Sequence, residues 1–295
     1  MFGFFRRSPA AQSPVAEVVK KIKPSGKLSA QDYEALLSKM LGAGLQFQLP
    51  AELSHAIEQG TAAACGVMKH DVHHDLDACL VAARIESVLG VKSVFFFLGE
   101  HDLTRKFHGT PRFWQAIEEI VSLGHEIGIH TDAHDLLERH GDLEQGMAHV
   151  MEDFRKHAGV RITSGNLHGN TALRQIHGSP KAMIKARNDD AKSIPHKFPM
   201  LGDKFLRYEN FYSLENFSKT LGIDCWLDAR VYWRGNRLPV DAYLTDNSSA
   251  LRLLLEKKNA WIVPFAEVVS MGEESFAPLA KRPFQVLFHP QNISG

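Results

Sequence analysis

Cysteine is scarce in this chain: Cys65, Cys79 and Cys225 are the only three in 295 residues. Their number is odd and no two form a CxxC pair, which argues against a disulfide framework and favours a reducing compartment. An excess of charge of one sign is also lacking. The 34 Lys and Arg residues balance 34 Asp and Glu, so no general surface for nucleic acid or another polyanion is expected. No apolar run is long enough to span a membrane. The opening stretch MFGFFRRSPAAQSP places its short apolar run before the arginines, the reverse of a secretory signal. It reads as a disordered cytoplasmic tail, with at most a peripheral touch on a membrane surface. No internal repeat or long low-complexity tract is present.

What is present is an apolar fraction ordinary for a globular protein and sufficient for a sizeable core. Pro9, Pro14 and Pro24 keep the leader irregular. SAQDYEALLSKMLGAG then predicts a helix with Ser29 as cap and Asp32 three places on. A second short helix is expected over 51–58, after Pro50. From Cys65 onward strands and helices alternate. CGVMKHD, VKSVFFFLG, HEIGIHTD, VRITSGNLHGN, GIDCWLDAR and FQVLFHP read as strands. DACLVAARIESVLG, TPRFWQAIEEIVSLG, DLEQGMAHVMEDFRKHAG and SSALRLLLEKKN read as helices. The alternation argues for a mostly parallel sheet covered by helices, and by itself does not separate an open sheet from a barrel. Residues 1–60 are read as a leader with accessory helices and 61–295 as the main domain. The polar stretch from Gly169 to Lys204 is expected to run as a long excursion over one rim.

In such folds ligand sites gather beyond the carboxyl ends of the parallel strands. Four polar clusters fall there: HDVHHD from His70, HTDAH from His130, NLHGN from Asn166 and FHP from Phe288. His130 and His134 are four apart, so a helical turn after the strand would place both imidazoles on one face, able to clamp one divalent ion. The same spacing is met by two surface histidines beside a turn. Asp71 and His73 are two apart, and on an extended strand they face one side while His70 and Val72 face the other. One of the pair can be a ligand and the other a base, or both can bind metal.

KHDVH, HEIGIHTDAH, NLHGN and VLFHP together make the chain resemble the NodB-like polysaccharide deacetylases, carbohydrate esterase family four in the broad sense. The branch it is most similar to has HDVD rather than FDD as its first motif. The resemblance runs from about Cys65 to the C-terminus. It implies an α/β fold, a distorted (β/α) barrel of about seven strands. It also implies one divalent metal ion, commonly Zn2+, held by His130 and His134. Asp71 falls on the catalytic base. The metal carboxylate of the family falls on His73, a departure that makes His73 the expected third ligand. The alternatives are that Asp71 binds the metal or that Asp75 reaches in. His289 falls on the general acid. Asp224 and Trp226 fall near the acidic residue and tryptophan that orient such groups, with Asp228 competing for the acidic role and a core position the alternative for Trp226. The arginine–proline motif of the middle strand is missing, and NLHGN stands in its place. His168 or Asn170 is therefore expected to line the pocket and contact substrate.

The activity implied is metal-assisted removal of an N-acetyl group from an amino sugar. The missing arginine motif argues against a standard peptidoglycan or chitin deacetylase. With no secretory signal read, a nucleotide-linked or lipid-linked precursor in the cytoplasm is favoured over a finished wall polymer. Aromatics in RYENFYSLENF can stack on sugar rings or pack in a core. Two other readings remain on the same scaffold: a hydrolase of small amides, and a degenerate member that binds glycan or serves as a structural partner without turnover.

Overall fold

A computed structural model of the chain describes residues 28–99, 107–168, 197–199, 205–207, 217–227, 230–240, 242–246, 272–277 and 279–294. In chain order the elements are β1 (Leu28–Ser29), α1 (Ala30–Gly42), β2 (Gln46–Phe47), α2 (Pro50–Glu58), β3 (Cys65–Val72), α3 (Leu76–Val88), β4 (Ser93–Leu98), α4 (Pro111–Ser122), β5 (Glu126–Thr131), α5 (Ala133–His140), α6 (Leu143–Ala158), β6 (Ser164–Leu167), β7 (Lys197–Pro199), β8 (Phe205–Arg207), β9 (Cys225–Leu227), β10 (Val231–Trp233), β11 (Asn236–Arg237), β12 (Ala242–Thr245), β13 (Phe284–Phe288) and β14 (Ile293–Ser294).

Local chemistry sets the helix starts. Ser29 accepts from the Asp32 amide at 3.0 Å, and the Asp32 carboxylate reaches back to the Ser29 amide at 3.4 Å. This is the capping box that the sequence predicts. Thr110 caps α4 with Pro111 in its first turn, where the missing proline N–H is no loss. The predicted helix SSALRLLLEKKN, most of the 169–204 excursion and most of RYENFYSLENF lie outside the described residues.

The main sheet runs in the order β11-β10-β9-β6-β5-β4-β3-β13-β12, with β2 also paired to β3. From β12 to β9 seven strands pair in parallel, while β10 and β11 turn back antiparallel. The sheet curls into the distorted barrel that the resemblance implies. Lys69 on β3 shows how far. Its Nζ donates to the Leu227 carbonyl on β9 at 2.7 Å. Those two strands stand four spacings apart in the sheet order. That is roughly 19 Å if flat, far beyond the reach of one side chain.

Alternation along β3 sorts its residues between two surroundings. Met68 and Val72 pack with Phe95, Phe97, Ile129 and the helices in the larger core cluster. Val67 packs inside the curl with Val94, Phe96 and Leu227, above Leu53 and Ala56 of α2. Residues of the 28–58 segment therefore share both cores with the strands. Gly66 is glycine for space, because a Cβ there would lie 2.4 Å from the Phe284 ring. Where the outward face meets helices it also carries a buried polar knot. The Glu86 carboxylate accepts from Ser93 Oγ at 2.6 Å, stands 2.7 Å from His70 Nε2, and takes the Tyr33 hydroxyl. His70 thus faces away from the pocket, as its strand position predicts.

Candidate active site

The carboxyl ends of β3, β5, β6, β12 and β13 converge at one rim. The parallel register puts Asp71 on β3 level with Phe96 on β4, and His130 on β5 level with Asn166 on β6. Because residues paired in a parallel ladder face the same side, the inward row at this rim is Asp71, His73, His130, Asn166, His168 and His289. The backbone continues the ladder one step past β6, with the His168 amide donating to the Thr131 carbonyl at 2.8 Å.

Three imidazoles close a triangle. The His73, His130 and His168 rings have centroids 5.3, 5.1 and 5.1 Å apart. The Nε2 atoms of His73 and His130 are 3.2 Å apart. One ligand nitrogen from each of the three lies within 4.8 Å of the others. Nitrogens bound at about 2.0–2.1 Å to one tetrahedral ion stand about 3.3 Å from each other. Each ring is also held from behind. His130 Nδ1 is 2.5 Å from Asn166 Oδ1, His168 Nδ1 is 2.9 Å from Asp132 Oδ2, and His73 Nδ1 is 3.2 Å from the Gln291 amide. An imidazole whose Nδ1–H is taken by an acceptor presents a bare Nε2, the form a metal requires. Gln291 Oε1 is buried with no partner among the described residues, and turning that amide over would offer it to a protonated His73 Nδ1.

The electrostatics agree with that donor set. Burial pushes the His73 imidazole down to about 2, with His130 adding to the effect. Burial likewise brings His130 down to about 4, against the opposing pull of Asp71. Both rings are therefore neutral at pH 7, as ligation demands. His73, His130 and His168 could hold a metal ion, and the residues present fit one.

Two acid–base groups flank the triangle. Asp71 is 8 % exposed and receives Asn166 Nδ2–H at 2.6 Å on Oδ1. Burial alone would raise its pKa; His130, Lys69, His289 and His73 outweigh burial and hold the carboxyl well below its ordinary value. With His73 and His130 neutral, the positive neighbours that remain are the buried Lys69 ammonium and His289 in its protonated form. On the other side, His289 Nδ1 lies 2.7 Å from Asp246 Oδ1, and the His289 amide donates to Oδ2 at 2.8 Å. Burial would lower the His289 pKa, but the Asp246 charge and hydrogen bond raise it above the usual value. The His289 and His73 ring centroids are 5.4 Å apart.

The structure thus brings together Asp71, His73, His130, His168 and His289 of the residues singled out from sequence. His134 lies on α5, directly after β5, and its side chain is outside the described residues, as are Asn170 and Asp228. Asp75 is turned away, capping α3 by accepting from the Ala78 amide at 2.9 Å. Asp224 and Trp226 are not brought to the cluster. Asp224 precedes β9, at the opposite end of the strand, where it accepts from Ser218 Oγ at 2.5 Å and pairs with Arg234 at 3.3 Å. Trp226 is 2 % exposed and packs on the outward face against Phe217 and over Gly165. The carboxylate beside His289 is Asp246.

The sequence reading assigns no role to four contributors: Asp132, Asn166, Asp246 and Gln291. Asp246 ends AYLTD, a short apolar run closed by an acid, which is the signal that would have found it. Asp132 does two jobs, accepting from His168 and from the Asp135 amide at 3.2 Å as α5 begins. Among the described residues no helix is long and apolar enough to cross a membrane.

Neither a protein-family model nor a curated protein matches the chain. Among solved structures it is similar to the Streptococcus pyogenes deacetylase PplD in complex with acetate, with a TM-score of 0.40 and 18 % identity, over 53 % of this chain and 68 % of that one. It is also similar to IcaB from Ammonifex degensii, with a TM-score of 0.34 and 19 % identity, over 50 % of this chain and 72 % of that one.

Proposed function

We propose that the chain is a metal-dependent hydrolase that removes an N-acetyl group from an amino sugar in a glycan or an activated glycan precursor. The observation that carries this reading is the convergence of three imidazoles, each anchored at Nδ1, between an ionised carboxylate and a protonatable imidazole. That set contains a place for a Lewis acid, a base and an acid within one rim.

One divalent ion, Zn2+ by the all-nitrogen donor set, would be held by His73, His130 and His168, with His134 the further candidate on α5. When bound it supplies polarisation of the acyl oxygen and acidification of water. The chain's own residues do the remaining work. Asn166 engages Asp71 Oδ1, which leaves Oδ2 to take a proton from the attacking water. The water oxygen bonds to the acyl carbon. His289, kept protonated by Asp246, then gives its proton to the departing nitrogen as the carbon–nitrogen bond breaks. Acetic acid and a free amine leave, the acid ionises to acetate in solvent, and Asp71 gives up its proton to solvent as His289 regains one.

The test pairs metal content with acetate release. Full-length protein is analysed for stoichiometric divalent ions, then assayed against N-acetylated sugar oligomers, nucleotide-linked N-acetyl sugars and small amides. Stoichiometric metal with acetate released from an amino sugar supports the reading. Metal-free protein whose activity is untouched by His130→Ala would overturn it. Turnover of small amides alone would move the activity to the other hydrolase class, and metal with no turnover of any substrate would leave a binding protein.

A further inference from the structure

One side chain joins the two halves of this site. Asn166 is 2 % exposed, and both ends of its amide are occupied. Oδ1 faces His130 Nδ1 at 2.5 Å, and Nδ2 donates to Asp71 Oδ1 at 2.6 Å. We propose that Asn166 is a positioning residue shared by the metal site and the base, and that its single amide fixes the tautomer of His130 and the placement of Asp71 together. This inference rests on the reading of the site as a metal-dependent hydrolase.

Hydrogen-bond polarity fixes the direction of this link. A carboxylate only accepts, so the amide must turn its NH2 towards Asp71. That leaves Oδ1 for His130, and an oxygen can only accept, so His130 must carry its proton on Nδ1. The lone pair is then forced onto His130 Nε2, the atom 3.2 Å from His73 Nε2. The reverse orientation of the amide would set two acceptors against each other at Asp71 and two donors against each other at a protonated His130 Nδ1. Burial enforces the choice, since no bulk water stands ready to satisfy a misdirected group.

Few side chains could replace it. Aspartate would accept from His130 but oppose Asp71. Leucine of similar shape would release both partners. Asparagine links the two without adding a charge between a base and a cation site. The fold makes the link possible. Register places Asn166 beside His130 on the neighbouring strand. The curl brings Asp71 within reach, although β4 and β5 lie between β3 and β6 in the sheet.

The experiment measures Zn2+ affinity of the full chain by competition with a chromogenic chelator, alongside thermal unfolding and acetate release. Asn166→Ala is expected to weaken Zn2+ binding about 10–100-fold, the usual cost of losing a partner behind a ligating histidine. A decisive second comparison is made in Asp71→Asn protein, where no like charges meet. The pair D71N/N166D reverses the polarity of the link: the new amide donates to the new carboxylate, which still accepts from His130 Nδ1–H. Its Zn2+ affinity is expected to stay within a few-fold of D71N alone, while D71N/N166A loses the same factor as N166A. Because D71N and D71N/N166D are nearly isosteric with the wild type, their comparison stands even if the alanine variants fail to fold, and a loss of about tenfold or more in the reversed pair relative to D71N would overturn the inference. Equal affinities for D71N/N166D and D71N/N166A would overturn the inference. If wild-type protein binds Zn2+ and releases acetate while the Asn166 variants keep full affinity, the shared tether falls and the hydrolase reading survives. If wild-type protein binds no Zn2+, both fall together.

Discussion

The Asp246 carboxylate holds His289 at two points, with Nδ1 2.7 Å from Oδ1 and the backbone amide 2.8 Å from Oδ2. A third donor, Asn292 Nδ2, sits 2.9 Å from Oδ2. The imidazole is therefore fixed in place as well as raised in pKa. Asp246→Asn should lower that pKa, so the acidic form is lost at lower pH. The alkaline limb of kcat/KM against pH is expected to move to lower pH, with a loss of about tenfold or more above neutrality, within the range general-acid catalysis contributes. An unmoved alkaline limb would remove Asp246 from this role.

His168 is the third imidazole of the triangle. His168→Ala is expected to lower Zn2+ affinity by at least about tenfold, with a smaller effect from His134→Ala. Stoichiometric metal in H168A and none in H134A would instead support the pairing of His130 with His134 expected from their spacing.

Asp71 sits 8 % exposed and ionised because positive neighbours outweigh its burial. Asp71→Asn keeps the shape and the hydrogen-bonding capacity but cannot take a proton. It should cut kcat by about 10²–10⁴ while metal content stays near that of the wild type. Loss of metal together with activity would make Asp71 a ligand instead.

The outward knot around Glu86 makes a separate prediction about stability. Glu86 is 0 % exposed and bound by His70, Ser93 and Tyr33. Its pKa is held below the ordinary value, with burial outweighed by His70 and the other donors. Glu86→Ala leaves those donors buried without their acceptor, and a loss of about 3 kcal/mol is expected in denaturant unfolding. The sign of the pH dependence follows from a depressed carboxyl. Its stabilisation is present above the unfolded carboxyl value and fades as pH falls through the folded one. Wild-type protein should lose stability on acidification more steeply than E86A, and parallel pH profiles would contradict this.

Much of the architecture was legible because the signals were local. Ser29 and Asp32 form their capping box within four residues, and Thr110 with Pro111 starts α4 as its chemistry demands. Asp71 and His73 share a face because extended chains alternate. Asp224 shows where local reading stopped. It lies in an IDCW segment much like the sought motif, yet it enters β9 at the end away from the rim. Asp246 directly follows a strand too short to stand out. Asn166 stands first in NLHGN, but an asparagine shows its value only when both ends of its amide find partners.

The sequence by itself determined which residues could do chemistry, and that they cluster at strand ends, since residue type and period 2 alternation are properties of short segments. Tertiary structure alone decided which of them meet. The curl of the sheet carries β6 back towards β3 and places Asn166 on Asp71, 95 residues away in the chain. It sets Gln291 behind His73 across a separation of 218 residues. Such contacts depend on the summed twist and register of many strands, and no single segment encodes them.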